Sequence, residues 1–297
     1  MDLSYKKCSL CGRRCLADRE GGEIGFCRMT DRVTVARASL HAWEEPIISG
    51  TRGSGTIFFS GCSLKCIFCQ NMDISRGRVG KEVSIEELAD IMLALRDEGA
   101  HNINFVTPTH YAPSIKDAVS MARKSGLNIP TVYNTSSYDT IETIRALSGT
   151  VDIYLADFKY YRDKTARELS GAENYPDVAK LAISEMVRQH PEPIIENGLM
   201  SSGVVVRILL LPNRVAETKL ILKYLYETYG NSIYISIMSQ YTPMPNMKPP
   251  LDRRITRAEY RELVEYAERL GVMRAFVQEH GSAQESFIPE FNKKPLE

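Results

Sequence analysis

Three cysteines, Cys62, Cys66 and Cys69, fall within eight positions of one another in the stretch GCSLKCIFCQN, just after the apolar run TIFF. Four more, Cys8, Cys11, Cys15 and Cys27, lie in the first 27 residues, and none follows Cys69. A disulfide framework would not crowd one end of a long chain, and an odd count of seven would leave a thiol over. Metal ligation accounts for both groups. For the triplet, a structural zinc ion would need a fourth protein ligand, and the nearest remaining cysteine is the distant Cys27. A cubane iron–sulfur cluster has four irons, so three thiolates leave one iron open to another molecule, as in catalytic rather than structural sites. A three-cysteine zinc knuckle completed by a histidine is the alternative.

The amino-terminal quartet, spaced C-x2-C-x3-C-x11-C, supplies enough thiolates to saturate its metal. It therefore reads as a closed site, either structural zinc or an auxiliary iron–sulfur cluster. Zinc ribbons pair two C-x2-C knuckles and only one is present, which favours the cluster.

Positioning the triplet falls to a repeating α/β pattern. Apolar runs rich in Val, Ile and aromatics recur at 56–61, 103–107, 131–135, 152–158, 204–211, 233–238 and 274–278. Several are apolar nearly throughout, as parallel strands covered on both faces require. Amphipathic helices fall between them. One opens on a capping box, Ser84 with Glu87, buries Ile85, Leu88, Ile91, Met92 and Leu95 and stops at Gly99. Another runs from Thr256 with Glu259 to Gly271. The alternation predicts an α/β fold with a parallel sheet, open or curled into a barrel, and puts the triplet at the carboxyl end of its first strand, where such folds do chemistry. Residues 1–50 lack helical period and read as a Cys-rich metal-binding module or arm, with 51–297 as the barrel.

At this point the chain resembles the radical S-adenosylmethionine (SAM) superfamily. Cys62, Cys66, Phe68 and Cys69 match its C-x3-C-x-aromatic-C signature. With DISRG, VTPTHYAPSI, TVYNTSSYD, DIYLADFKYY, VVVRILLLP and ISIMSQYTP, the resemblance extends to the pyruvate formate-lyase activating enzyme-like group. It implies a partial (β/α)6 TIM-type barrel, a 4Fe-4S cluster whose open iron chelates SAM, and hydrogen abstraction by a 5′-deoxyadenosyl radical. It also implies a reductant such as flavodoxin or ferredoxin, and in true activating enzymes a glycyl radical enzyme as substrate.

The resemblance carries over several residues. Asp157 and Lys159 match an Asp-x-Lys that supports SAM, though a strand-end carboxylate with a solvated lysine would look the same. Asn134, Thr135, Ser136 and Ser137 stand where the family has an Asp-Thr-Asn-Gly turn. Arg207, a guanidinium in an apolar strand, must find an anion, either the SAM carboxylate or a structural ion pair. The Gly-Gly-Glu that holds the SAM ammonium is replaced by Thr107–Tyr111, leaving Thr107 and Thr109 as candidate acceptors. His110 there is a candidate proton carrier or a structural histidine. Where the family places a histidine on its sixth strand, the chain offers Gln240 and Tyr241. Trp43, Glu44 and Glu45 either line the mouth of the site or join arm to barrel, the latter being the simpler expectation. Gln278, Glu279 and His280, at a strand end, are further candidates to face substrate.

Composition sets outer bounds. The 37 basic and 37 acidic side chains cancel, against nucleic acid or a membrane surface as the main partner. No apolar stretch approaches the roughly 18 residues of a span, and the opening residues lack the apolar core of a signal peptide, so a cytoplasmic protein is expected. Three readings of function follow: hydrogen abstraction from a protein or peptide, as in activating enzymes; radical SAM chemistry on a small molecule or a protein side chain, favoured by the departures above; and a non-catalytic iron–sulfur or zinc electron carrier.

Overall fold

The computed structural model describes residues 3–278. Its strands are β1 (Val33–His41), β2 (Ser54–Phe59), β3 (Lys81–Val83), β4 (Ile103–Val106), β5 (Thr131–Thr135), β6 (Ile153–Asp157), β7 (Ile194–Glu196), β8 (Leu199–Leu209), β9 (Tyr234–Met238) and β10 (Ala275–Val277). The helices are α1 (Pro46–Ser49), α2 (Met72–Ser75), α3 (Ile85–Asp97), α4 (Ala112–Lys124), α5 (Ile141–Ala146), α6 (Asp163–Ser170), α7 (Tyr175–Gln189), α8 (Val215–Tyr229) and α9 (Arg257–Leu270).

Strands β2, β4, β5, β6, β8, β9 and β10 lie side by side in that order and pair in parallel. Each matches one of the seven apolar runs to within a few residues. Among the described residues the sheet does not close: β10 forms one edge, and β1 followed by β3 extends the other in antiparallel pairing. This is the expected α/β partial barrel. Burial explains its parallel strands, since all six residues of β2 are inaccessible to water and only apolar or internally bonded side chains tolerate that. Leu88, Met92 and Leu95 of α3 pack with Ile115 and Ala118 of α4 over Ile57, Phe59, Ile103 and Phe105. The larger core joins β5, β6, β8 and β9 to the helices from α5 to α9.

Residues 1–50 do not form a single arm. The cysteine-rich part ends before Val33, and Val33–His41 is a nine-residue strand paired along β2. Its VTVARASLH lacks the continuous apolar character of the parallel strands, which is why it was not legible as one. The hairpin β7–β8 was also unforeseen, although its turn, Asn197 and Gly198 both at positive φ, is a strong hairpin signal. Among the described residues no helix is long and apolar enough to cross a membrane.

Both expected capping boxes are present. At α9, Glu259 accepts from the Thr256 amide at 2.8 Å, the Asn213 amide at 2.7 Å and the Arg253 guanidinium at 2.8 Å. The Arg253 hydrogen bond, more than any other contact, holds its carboxyl down to about 2. A depressed folded pKa gives stability that is complete above the unfolded value of about 4.3 and is lost as pH falls through the folded one. The urea midpoints of wild type and Glu259→Gln should therefore converge as pH drops from about 5 toward 2; a constant gap would mean that the charge contributes nothing.

Candidate active site

The carboxyl ends of the parallel strands surround a cavity of about 260 Å³. The triplet cysteines form one wall. Thr107, Thr109, Asn134, Thr135, Asp157, Lys159, Arg207 and Gln240, all expected at the site, line the rest. They converge because every strand in a parallel sheet ends on the same side. Trp43, 58% exposed, lies at the rim.

A buried charge network forms the floor. Arg207 of β8 donates from Nε to Asp157 Oδ1 at 2.9 Å, from Nη1 to Glu44 Oε2 at 3.1 Å and from Nη2 to Asn134 Oδ1 at 2.5 Å. Lys159 Nζ donates to the other oxygen of Asp157 at 2.6 Å. Asn104 and Asn134 donate to Glu44 Oε1 at 3.0 and 3.3 Å. The ion-pair reading of Arg207 is thus realised, yet among the described residues three of its five N–H groups carry these bonds and two have no acceptor. Burial alone would raise the Asp157 carboxyl, but Arg207 and then Lys159 outweigh it and hold it below the usual range. Burial raises Glu44 and its neighbour Glu45 despite Arg207.

Glu44 is the residue that sequence reasoning undervalued. It follows β1 in the chain, and only the pairing of β1 with β2 carries it into the barrel. The Pro46 that starts α1 and the run Ile47-Ile48, seated against β8, fix its approach.

The triplet rides on a loop pinned from both sides. Gly61 takes φ 86°, open to glycine but strained for other residues, and donates its amide to Ile74 O at 2.8 Å. The Lys65 and Ile67 amides donate to Ser170 O and Leu169 O at the end of α6, where helical carbonyls lack partners of their own. Leu64 N donates to Cys62 Sγ at 3.3 Å, and Cys66 Sγ shares a hydrogen bond with Ser170 Oγ at 2.9 Å. Among the described residues, no three His, Cys, Asp or Glu side chains have the spacing to hold one metal ion. Three thiolates fit a 4Fe-4S cluster, which would keep one iron without a protein thiolate.

Three expected residues lie elsewhere. His110 is buried beside the quartet, its Nε2–H donating to Ser60 O at 2.7 Å. Burial, reinforced by Arg19, lowers its pKa to about 3, so it stays neutral and away from the cavity. Tyr241 is buried with its hydroxyl donating to Leu251 O at 2.6 Å, a structural tie rather than a reactive group. Phe68 packs edge-on against Tyr241 at 6.1 Å, behind the wall instead of in it. Gln278 receives the Ser239 amide at 2.7 Å, and Glu279 and His280 fall outside the described residues.

Two backbone features shape the rim. Thr107 adopts φ 58°, rare for a β-branched residue and typical of sites where geometry outweighs strain. Asp139 lies under the 134–137 turn, accepting from Tyr133 Oη at 2.9 Å and from Thr135 Oγ1. The turn without a carboxylate of its own is thus braced by one a few residues on.

A profile of the Radical SAM superfamily matches residues 56–225. The chain is 34% identical over 277 residues to an uncharacterized protein of Methanocaldococcus jannaschii, covering 89% of this chain and 75% of that one. It is 27% identical over 127 residues to the pyruvate formate-lyase 1-activating enzyme of Escherichia coli, 40% of this chain and 50% of the enzyme. Among solved structures, the FeFe-hydrogenase maturase HydG aligns with TM-score 0.53 and 17% identity, over 78% of this chain and 53% of that chain. Methylornithine synthase aligns with TM-score 0.50 and 16% identity, over 72% and 62%. Both share the fold; this chain spans little more than half of their length.

Removing the cation from the floor should be costly. Arg207→Met leaves Glu44 buried without its cation and Asp157 with Lys159 alone, and stability should fall by about 3–5 kcal/mol. Urea unfolding measures it; a midpoint equal to that of wild type would show that the network carries no net compensation.

Proposed function

Because the chain belongs to the Radical SAM superfamily, whose members use a 4Fe-4S cluster and SAM, we propose that Cys62, Cys66 and Cys69 hold that cluster and that the adjoining cavity takes SAM. The cluster, when bound, supplies the electron that cleaves the SAM sulfonium to yield a hydrogen-abstracting 5′-deoxyadenosyl radical. One observation carries the reading: three thiols without a fourth line the same cavity as the buried Arg207–Asp157–Glu44–Lys159 network.

Within this arrangement Glu44 takes the part of the carboxylate missing from 107–111 and accepts from the SAM ammonium. The two free N–H groups of Arg207 take the carboxylate. Lys159 holds Asp157, Asp157 holds Arg207, and Thr107, Thr109 and Thr135 offer hydroxyls to the remainder. With SAM in a cavity of about 260 Å³ little room is left, so the substrate reaches the site from outside, past Trp43. We favour a protein or peptide substrate, as in the activating enzyme that part of the chain resembles, with a flavodoxin- or ferredoxin-type protein as reductant.

Anaerobic reconstitution with iron and sulfide, reduction and addition of SAM should yield 5′-deoxyadenosine from wild type, and none above background from Cys66→Ala. A fully loaded wild type that leaves SAM intact would return the chain to the electron carriers. For the substrate, extracts from cells grown on α-deuterated glycine should transfer deuterium to 5′-deoxyadenosine from the protein fraction. Transfer only from the small-molecule filtrate would overturn the protein reading.

A further inference from the structure

The amino-terminal quartet contains a buried cation without a carboxylate. Arg19 has 0% exposure. Its guanidinium donates to Cys8 Sγ at 3.6 Å, to His110 O at 2.7 Å, to Met29 O at 3.1 Å and to Thr30 O at 2.5 Å. The rings of Tyr5 and Tyr111 lie 4.8 and 5.7 Å from it. Among the described residues it forms no ion pair with Asp or Glu. A guanidinium cannot shed its proton, and a charge this deep needs a counter-charge. Carbonyls and rings supply dipoles; as thiolates, the cysteines supply an anion at bonding distance.

Those thiols are gathered. Cys8, Cys11 and Cys27 are buried and Cys15 is exposed. The Cys8 and Leu16 backbones bond across the loop, Leu16 N to Cys8 O at 3.0 Å. Gly25 sits against two of the sulfurs: a methyl there would stand 3.3 Å from Cys27 Sγ and 3.6 Å from Cys15 Sγ. Four protonated thiols around a buried cation would be an unstable arrangement; four thiolates on a metal centre answer it.

We infer that Cys8, Cys11, Cys15 and Cys27 hold a second 4Fe-4S cluster, closed by four protein thiolates and compensated by Arg19. With every iron protein-bound, no position is left for SAM or substrate, so its chemistry is reversible uptake of one electron from an external one-electron donor. It abuts the triplet: a methyl on Gly61, next to Cys62, would fall 2.8 Å from Cys27 O. Arg13, between Cys11 and Cys15, donates from Nε to Ser63 O on the triplet loop at 2.8 Å. This inference concerns different ligands from the proposed function and stands or falls without it.

The test compares reconstituted wild type with a Cys62→Ala/Cys66→Ala/Cys69→Ala variant and a Cys11→Ala/Cys15→Ala variant, counting iron and zinc and recording the electron paramagnetic resonance of dithionite-reduced samples with and without SAM. Expected are about eight irons per wild-type chain and about four in each variant, with the triplet-less variant keeping a reducible signal indifferent to SAM. Zinc in place of iron in that variant, or about four irons in wild type and none without the triplet, overturns the second cluster. About four irons in both wild type and the triplet-less variant instead upholds the quartet and removes the triplet. The wild-type count decides should a variant fail to fold.

Discussion

The pairing of Arg207 with Asp157 and Glu44, 12% exposed on the arginine side, is the constraint around which the barrel is organised. A guanidinium inside an apolar strand has nowhere to go but to carboxylates, and these two come from β6, next to it in the sheet, and from a segment far away in sequence. The second carboxylate obliges the chain after β1 to cross the barrel. The network therefore does more than balance charge: it registers the amino-terminal region on the sheet, and the cavity is the space left above it. Buried ion pairs add little to net stability when compared with apolar packing. Their value here is positional.

The same logic governs the two cysteine groups. Each buries polar atoms that need partners, and each draws them from the other's neighbourhood. Arg13 leaves the quartet loop to bond carbonyls of Ser63, Ser170 and Gly171, and its guanidinium lies 3.8 Å from the Phe26 ring. Lys65 leaves the triplet loop to cover the other approach to Phe26 at 3.9 Å. Neither loop has regular secondary structure of its own to fix it, and each is held by the other and by the carbonyl end of α6. Disturbing one should be felt at the other without any change in the sheet.

Much of this was legible in the sequence, and the misses share a cause. The parallel strands announce themselves because burial on both faces demands continuous apolar runs, and the helices because their caps have local signatures. Cys62 stood out by spacing at a strand end and Arg207 as a guanidinium in an apolar strand, whereas Asp157 and Lys159 were reached only through the family resemblance. Glu44 was weighed as a contact between arm and barrel, and His110 and Tyr241 as catalytic candidates, because one sequence does not say which way a side chain turns. Direction is set by long-range pairing: β1 on β2 sends Glu44 inward, the short helical turn at Thr109–Tyr111 folds His110 back toward Ser60, and the Leu251 carbonyl claims Tyr241. Polar residues in apolar surroundings are visible from sequence as needing partners, but the partner is a tertiary fact.

An open sheet gives the arrangement its direction. A closed barrel would reach its own cavity only from the top, whereas this one ends at β10 on one side and is continued by the antiparallel β1 and β3 on the other. Because β1 runs against the parallel strands, its carboxyl end points away from the catalytic face and must turn back to deliver Glu44. That return places Trp43 at the rim and Glu44 at the floor, one residue apart, so the same four-residue passage touches both the mouth and the charge network. The residue at the mouth therefore directly precedes one that Arg207 holds, and Arg207 in turn is held by Asp157, which Lys159 braces from its other oxygen.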